Sequence, residues 1–205
     1  MLGEARKDPE LRRVFEDAAL AVPESVATLA LSRLKGLQVS ERIPGIDLLL
    51  ELCRFASLKG WGIYLVGSKP GVAEKAGQEL LNQFHGLKIL GCHDGYFDSE
   101  EEKRLLQDIA LKKPYLLFAG LSSPLQEIWI YKNRDRFQGI IAMGVGGTLD
   151  VVSGSLKRAP PWMRKAGLEW LFRALQEPYR IKRLLSIPLF FLIALISKSE
   201  FQTSN

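Results

Sequence analysis

Between residues 44 and 150 the chain alternates between two kinds of apolar spacing. Stretches with apolar residues recurring at three and four positions, the signature of a helix with one buried side, are interleaved with short runs that are apolar almost throughout. Pro44 starts the first helix, which runs to Leu58 with Ile46, Leu49, Leu50 and Phe55 on its apolar side; proline suits a first helical position because its missing N–H would have no partner there anyway. This helix leads into WGIYLVG (61–67). A second, from Pro70 with Val72, Ala76, Leu80 and Phe84, leads to LKILG (87–91). A third, from Asp98, leads to PYLLFAG (114–120), and a fourth, around Pro124 to Arg136, leads to GIIAMGVGG (139–147).

Near-continuous apolar strands separated by helices are what a parallel sheet requires, because the crossover helices shield both of its faces from water. The pattern predicts a Rossmann-like α/β domain over residues 1–158, a parallel sheet with helices on both faces. A helix from Leu2 to Asp17 and a short apolar piece, ALAV (19–22), lead into it. Domains of this class normally begin on a strand, so an upstream element is expected. Such sheets bind ligands at the carboxyl ends of their strands. That rule selects VPES (22–25), GSKPG (67–71), GCHDGYFD (91–98), GLSSPLQE (120–127) and GVGGTLD (144–150) as the candidate site.

After residue 158 the pattern changes. Pro160 and Pro161 start an amphipathic helix through Trp162, Met163, Leu168, Trp170, Leu171 and Leu175, which Pro178 interrupts. The run LLSIPLFFLIALI (184–196) follows. As helix it would cover about 20 Å, against a hydrocarbon core of about 30 Å, and Pro188 breaks it, so a full membrane span is not expected. Residues 159–205 therefore read as a basic amphipathic helical appendage lying in the membrane interface, or as a terminal helix docked on the sheet.

Charge sharpens this division. The formal net charge is +5, yet residues 157–183 alone hold Lys157, Arg158, Arg164, Lys165, Arg173, Arg180, Lys182 and Arg183 against only Glu169 and Glu177. A cationic segment of that kind implies a phosphate-bearing partner: nucleic acid, an anionic lipid surface or a small diphosphate. Interleaving with leucine and phenylalanine favours lipid over nucleic acid, for which no motif is present. Cys53 and Cys92 lack the paired spacing of a zinc or redox site and read as idle thiols in a reducing compartment. His85 and His93 have no metal-ligand spacing, and the charged start MLGEARKDPELRR has no signal-peptide core, so a cytoplasmic location is expected.

Gly144, Gly146 and Gly147 can bring backbone amides close to a ligand phosphate, although GVGG lacks the full dinucleotide spacing and also fits a tight strand-to-helix turn. In context the segment is more specific. GVGGTLDVVSGSLKRAPPWMRKAGLEWLFRALQEPYRIKR, with RKDPELRR (6–13), ERIPGIDLL (41–49), GSKPGVAEKA (67–76), GYFD (95–98) and GLSSPLQEIWI (120–130), resembles the WecG/TagA/CpsF family of bacterial glycosyltransferases over almost the whole chain. The resemblance implies an inverting, metal-independent enzyme, with no cofactor, that moves an N-acetylmannosamine-type sugar from a UDP donor to a polyprenyl-diphosphate-linked amino sugar. Such enzymes serve teichoic acid, exopolysaccharide or related surface polymers at the inner membrane face, and self-association in solution is a further family trait.

Residue by residue, the resemblance assigns Gln126 and Arg42 to the active site. It matches Arg173, Arg180 and Arg183 to arginines that neutralise the acceptor diphosphate. The donor is expected on Gly144, Gly146, Gly147 and Asp150, with a helix N-cap as the competing role for Asp150. The family's candidate base is an aspartate in a PDG-like turn; here the turn reads PES, which makes Glu24 the equivalent carboxylate. Its extra methylene moves the carboxylate by roughly an ångström, a displacement that can lower a rate about a hundredfold. Members also carry a strand–helix–strand unit ahead of the RKDPELRR helix, ending in a Thr- and Asn-containing loop that this sequence does not contain. A fragment, a mis-called start or a lost sheet edge would each account for that. A catalytically degenerate relative that still holds nucleotide or lipid diphosphate is the alternative expectation.

Overall fold

A computed structural model describes Ala5, residues 8–24, Val26, Thr28, Leu29, Ser32, Val39 and residues 41–177. The chain falls into two compact units, one taking Met1–Ala19 with Gly45–Lys157, the other taking Leu20–Pro44 with the residues from Arg158 onward.

The first unit includes helix α1 (Pro9–Glu16). Asp8 caps it, its carboxylate accepting from the N–H groups of Glu10 (2.9 Å) and Leu11 (3.2 Å), and Leu11 is fully buried. Then come α2 (Gly45–Lys59), β1 (Gly62–Gly67), α3 (Val72–Gln83), β2 (Lys88–His93), α4 (Ser99–Lys112), β3 (Leu116–Gly120), α5 (Leu125–Lys132), β4 (Ile141–Gly144) and α6 (Thr148–Val152). The predicted fourfold alternation of helix and strand is present, and the four strands form one parallel sheet in the order β2-β1-β3-β4.

The boundaries move for local reasons. Helix α3 begins after Pro70 because Gly71, at φ +80°, turns the chain into it. Asp98 proves to be the N-cap of α4 rather than its first residue. Its carboxylate takes the N–H groups of Glu100 and Glu101, and the Glu101 carboxylate returns to the Asp98 N–H at 3.0 Å; those backbone donors hold the Asp98 carboxyl below its ordinary value. The predicted fourth helix stops at Lys132. There the Asn133 side chain donates back to the Trp129 carbonyl (3.0 Å), and a 3₁₀ turn follows over Arg134–Arg136.

Side chains alternate across the strands and build a core on each face. Ile63, Leu65, Leu116 and Phe118 pack with Leu49, Cys53 and Ala56 of α2, Ala73, Ala76 and Leu80 of α3, and Leu149 of α6. Tyr64, Val66, Leu117 and Ala119 point the other way, to Leu105, Leu106 and Ile109 of α4 and Trp129 of α5. Each fully buried Leu, Ile or Phe here contributes about 1.5–3 kcal/mol. Both thiols are quiet: burial pushes Cys53 up to about 12, and burial with the nearby Glu74 carboxylate pushes Cys92 up to about 11.

In the second unit, residues 20–24 form no strand, so VPES does not follow a strand of the sheet as expected. Its backbone is instead bonded to another segment of the same unit, the Pro23 carbonyl accepting from the Ile43 N–H at 3.0 Å. The single helix predicted from residue 160 is divided into α7 (Pro161–Lys165) and α8 (Glu169–Gln176). Gly167 makes the break: its φ is +71°, and a Cβ there would lie 2.6 Å from Val26 Cγ2. No helix among the described residues is long and apolar enough to cross a membrane. Arg180, Arg183 and the apolar run at 184–196 lie outside the described residues.

Candidate active site

Strand order locates the crevice. From β1 the chain crosses through α3, on one face of the sheet, to reach β2; from β3 it crosses through α5, on the other face, to reach β4. The loops leaving the adjacent strands β1 and β3 thus part in opposite directions, which opens a ligand crevice at their carboxyl ends.

Glycines hold the rim of that crevice together. A Cβ on Gly67, at φ +133°, would lie 2.5 Å from the Gly120 backbone, and one on Gly120 would lie 2.7 Å from the Gly146 carbonyl oxygen. Neither position tolerates a side chain, because the obstacle is main chain. Hydrogen bonds run along the same line: the Ser68 N–H donates to the Gly120 carbonyl (3.1 Å), the Gly95 N–H to the Ser68 carbonyl (2.8 Å), and the Val145 N–H to the Ala119 carbonyl (2.8 Å). Four strand ends are thereby stitched into one rim. Ser68 (φ +63°) and Ser122 (φ +69°) adopt left-handed backbone next to the switch point, a conformation that non-glycine residues hold only where surroundings enforce it.

Side chains complete the rim. The Ser68 hydroxyl donates to Asp150 Oδ1 at 2.5 Å, joining the loop after β1 to helix α6. Gln126 is only 4% exposed. Its Oε1 accepts from the Gly146 N–H (2.8 Å) while its Nε2 donates to Glu127 Oε1 (2.7 Å), so the orientation of the amide is fixed at both ends. Gly144 is required for this, since a Cβ there would meet Gln126 Nε2 at 2.6 Å. The glycine turn differs from the expected phosphate cradle in one respect. The Gly146 N–H is taken by Gln126 and the Thr148 N–H by the Val145 carbonyl (3.0 Å). His93 ends β2, its Nδ1 2.9 Å from the Asp94 carbonyl oxygen and its ring edge-on to Phe97.

The remaining described candidates belong to the second unit. Glu24 is exposed and follows Pro23, whose carbonyl is bonded next to Arg42, so these two segments run side by side. Arg42 Nη2 pairs with the Glu169 carboxylate of α8. Arg173 Nε pairs with Glu177 Oε2 at 2.9 Å, one turn further along α8. Gln126, Gly144, Gly146, Gly147 and Asp150 are thus gathered in the sheet unit, and Glu24, Arg42 and Arg173 in the other. Ser68 and Glu127 escaped sequence reading, although both stand inside segments selected for their place at strand ends. No cluster of three or more metal-ligating side chains occurs among the described residues.

Residues 1–204 match the glycosyl transferase WecG/TagA/CpsF family. The N-acetylglucosaminyldiphosphoundecaprenol N-acetyl-beta-D-mannosaminyltransferase of Bacillus subtilis (strain 168) is 33% identical over 199 residues, covering 97% of this chain and 77% of that protein. The protein of the same description from Bacillus spizizenii (strain W23) is 34% identical over 185 residues, 90% of this chain and 71% of its own. That from Staphylococcus aureus (strain MW2) is 35% identical over 177 residues, 86% and 69% respectively.

Proposed function

The chain belongs to the WecG/TagA/CpsF glycosyltransferase family, and from that premise we propose that it is an inverting glycosyltransferase. It moves an N-acetylmannosamine-type sugar from a UDP donor to a polyprenyl-diphosphate-linked amino sugar in teichoic acid or related surface-polymer synthesis. The observation that carries this reading is the likeness of 97% of the chain to the Bacillus subtilis mannosaminyltransferase. The crevice at the β1/β3 switch point supplies a place for the donor.

In this scheme the sugar nucleotide lies along the rim, where Gln126 and the Ser68–Asp150 pair offer hydrogen bonds to its polar groups. The acceptor hydroxyl attacks the anomeric carbon from the side opposite UDP, and UDP departs with the bonding electron pair. Glu24 takes the hydroxyl proton. Arg173, joined by Arg180 and Arg183, neutralises the acceptor diphosphate with forked hydrogen bonds, and Arg42 serves the active site from the segment bonded to that of Glu24. No metal is assigned a part. Trp162 (65% exposed) stands out to solvent on α7, beside the cations Arg164 and Lys165, and Trp170 and Leu175 do so on α8, which suits a peripheral position on an anionic membrane surface.

The test is turnover. Purified protein given UDP-N-acetylmannosamine and a short-chain lipid-linked N-acetylglucosamine acceptor is expected to release UDP, unchanged by EDTA, and Glu24→Gln is expected to lower kcat by about 10²–10⁴-fold. Equal rates for the two proteins would remove Glu24 as base. Nucleotide binding without turnover would assign the chain to the second reading, a binding relative that has lost the chemistry.

A further inference from the structure

Two side-chain oxygens at the head of α5 have no hydrogen-bond partner. Glu127 Oε2 and Ser123 Oγ are both buried, and among the described residues of the sheet unit they are the side-chain atoms left in that state. The Glu127 carboxylate is not loose: its other oxygen accepts from Gln126 Nε2 at 2.7 Å, and Gln126 is anchored to the Gly146 N–H at the end of β4. One oxygen is used for positioning and the second is held out of water with nothing to bind. Removing a carboxylate oxygen from water without a donor is strongly unfavourable, and a native group left so calls for a partner that arrives from outside.

The chemistry of the pair narrows what arrives. Glu127 Oε2 needs a donor, whereas the Ser123 hydroxyl can donate to an acceptor. A phosphate oxygen has no proton to give and would be repelled by the carboxylate, so the diphosphate of either substrate does not fit. An alcohol hydroxyl donates and accepts through one atom, and its bond to a carboxylate is charge-assisted. We infer that Ser123 and Glu127 form a subsite for a ring hydroxyl of the transferred sugar, with the hydroxyl donating to Glu127 and accepting from Ser123. This rests on the sugar-nucleotide reading above and adds two residues to the rim. Uracil, which also offers a donor and an acceptor, is the competing occupant that the test separates.

Calorimetric titration of the intact chain with UDP and with UDP-N-acetylmannosamine, for the wild type, Glu127→Gln and Ser123→Ala, decides the matter. Glu127→Gln is expected to weaken UDP-N-acetylmannosamine about tenfold to a hundredfold, and Ser123→Ala about threefold to tenfold. UDP alone should change by less than about twofold in either variant, because it lacks the sugar. Equal weakening of UDP and the sugar nucleotide would overturn the inference, since the side chains would then act on uracil or through the glycine turn. Unchanged affinity for the sugar nucleotide would overturn it as well. Should Glu127→Gln fail to fold, Ser123→Ala carries the comparison alone. Wild-type protein that binds UDP but not the sugar nucleotide removes the subsite, whereas protein that binds neither removes the donor reading and the subsite with it.

Discussion

In the sheet unit, Gln126 and Asp150 are held by an N–H and an O–H from neighbouring loops, while in the second unit Arg42 and Arg173 are held by the carboxylates of Glu169 and Glu177. Hydrogen bonds from backbone and hydroxyl donors are short-ranged and directional, so the first arrangement fixes where atoms lie. The second keeps cations neutralised by acids, in ion pairs that an anionic substrate with matching fork geometry would exchange on the reading proposed above. One unit fixes its polar groups by directional hydrogen bonds and the other holds its cations in ion pairs, which the reading proposed above has the substrate exchange. Their responses to substitution, salt and acid should therefore differ.

The largest effect is expected where backbone meets backbone. Gly120→Ala places a methyl 2.7 Å from the Gly146 carbonyl oxygen, and the rim has to move. Denaturant unfolding should record a loss of about 2–3 kcal/mol, insensitive to salt. A change below about 0.5 kcal/mol would mean that the rim is softer than its contacts imply.

A smaller, salt-dependent effect is expected in the second unit. Arg42→Ala and Glu169→Ala should each lower stability by about 1–2 kcal/mol, between the values for exposed and buried pairs. The double variant should lose less than the sum, because either substitution already breaks the pair. Strict additivity would show that the two residues stabilise the unit separately.

The smallest effect concerns acid. Burial opposes ionisation of Asp108, but hydrogen bonds from Lys112 (2.7 Å) and the Tyr64 hydroxyl (2.6 Å) outweigh it and hold the carboxyl below its ordinary 3.8. A carboxyl depressed in the folded state stabilises above its unfolded value, and that contribution disappears as pH falls through the folded value. Asp108→Asn should therefore cost less than about 1 kcal/mol at pH 7, given partial exposure, and the gap from wild type should close below about pH 4. A gap that stays constant down to pH 2.5 would contradict the assignment.

Sequence reading did unequal work in the two units. The alternation of helix and strand was legible because each strand carries a short apolar run that a glycine closes. The order β2-β1-β3-β4 was not, since strands buried on both faces carry no mark of which side their crossover helix takes. The division of the 160–175 helix was hidden in Gly167, whose role depends on the approach of Val26, far away in sequence. The same holds for Arg42, whose partner Glu169 lies 127 positions on. Gln126 was found through family resemblance, but its twofold anchoring, and the Glu127 carboxylate beside it, follow only from the fold.

The contacts of Gly67, Gly120 and Gly146 along the rim are made by main-chain atoms, so the spacing of the strand-end loops does not depend on which side chains those loops carry. The exposed Tyr96 can therefore be randomised, and the exposed Ser122, whose backbone sits at φ +69°, exchanged for Asn, Asp or Gly, which tolerate that conformation, without dismantling the scaffold. A library built at those positions, with the three glycines kept, would be the natural starting point for redirecting the protein to other sugar nucleotides.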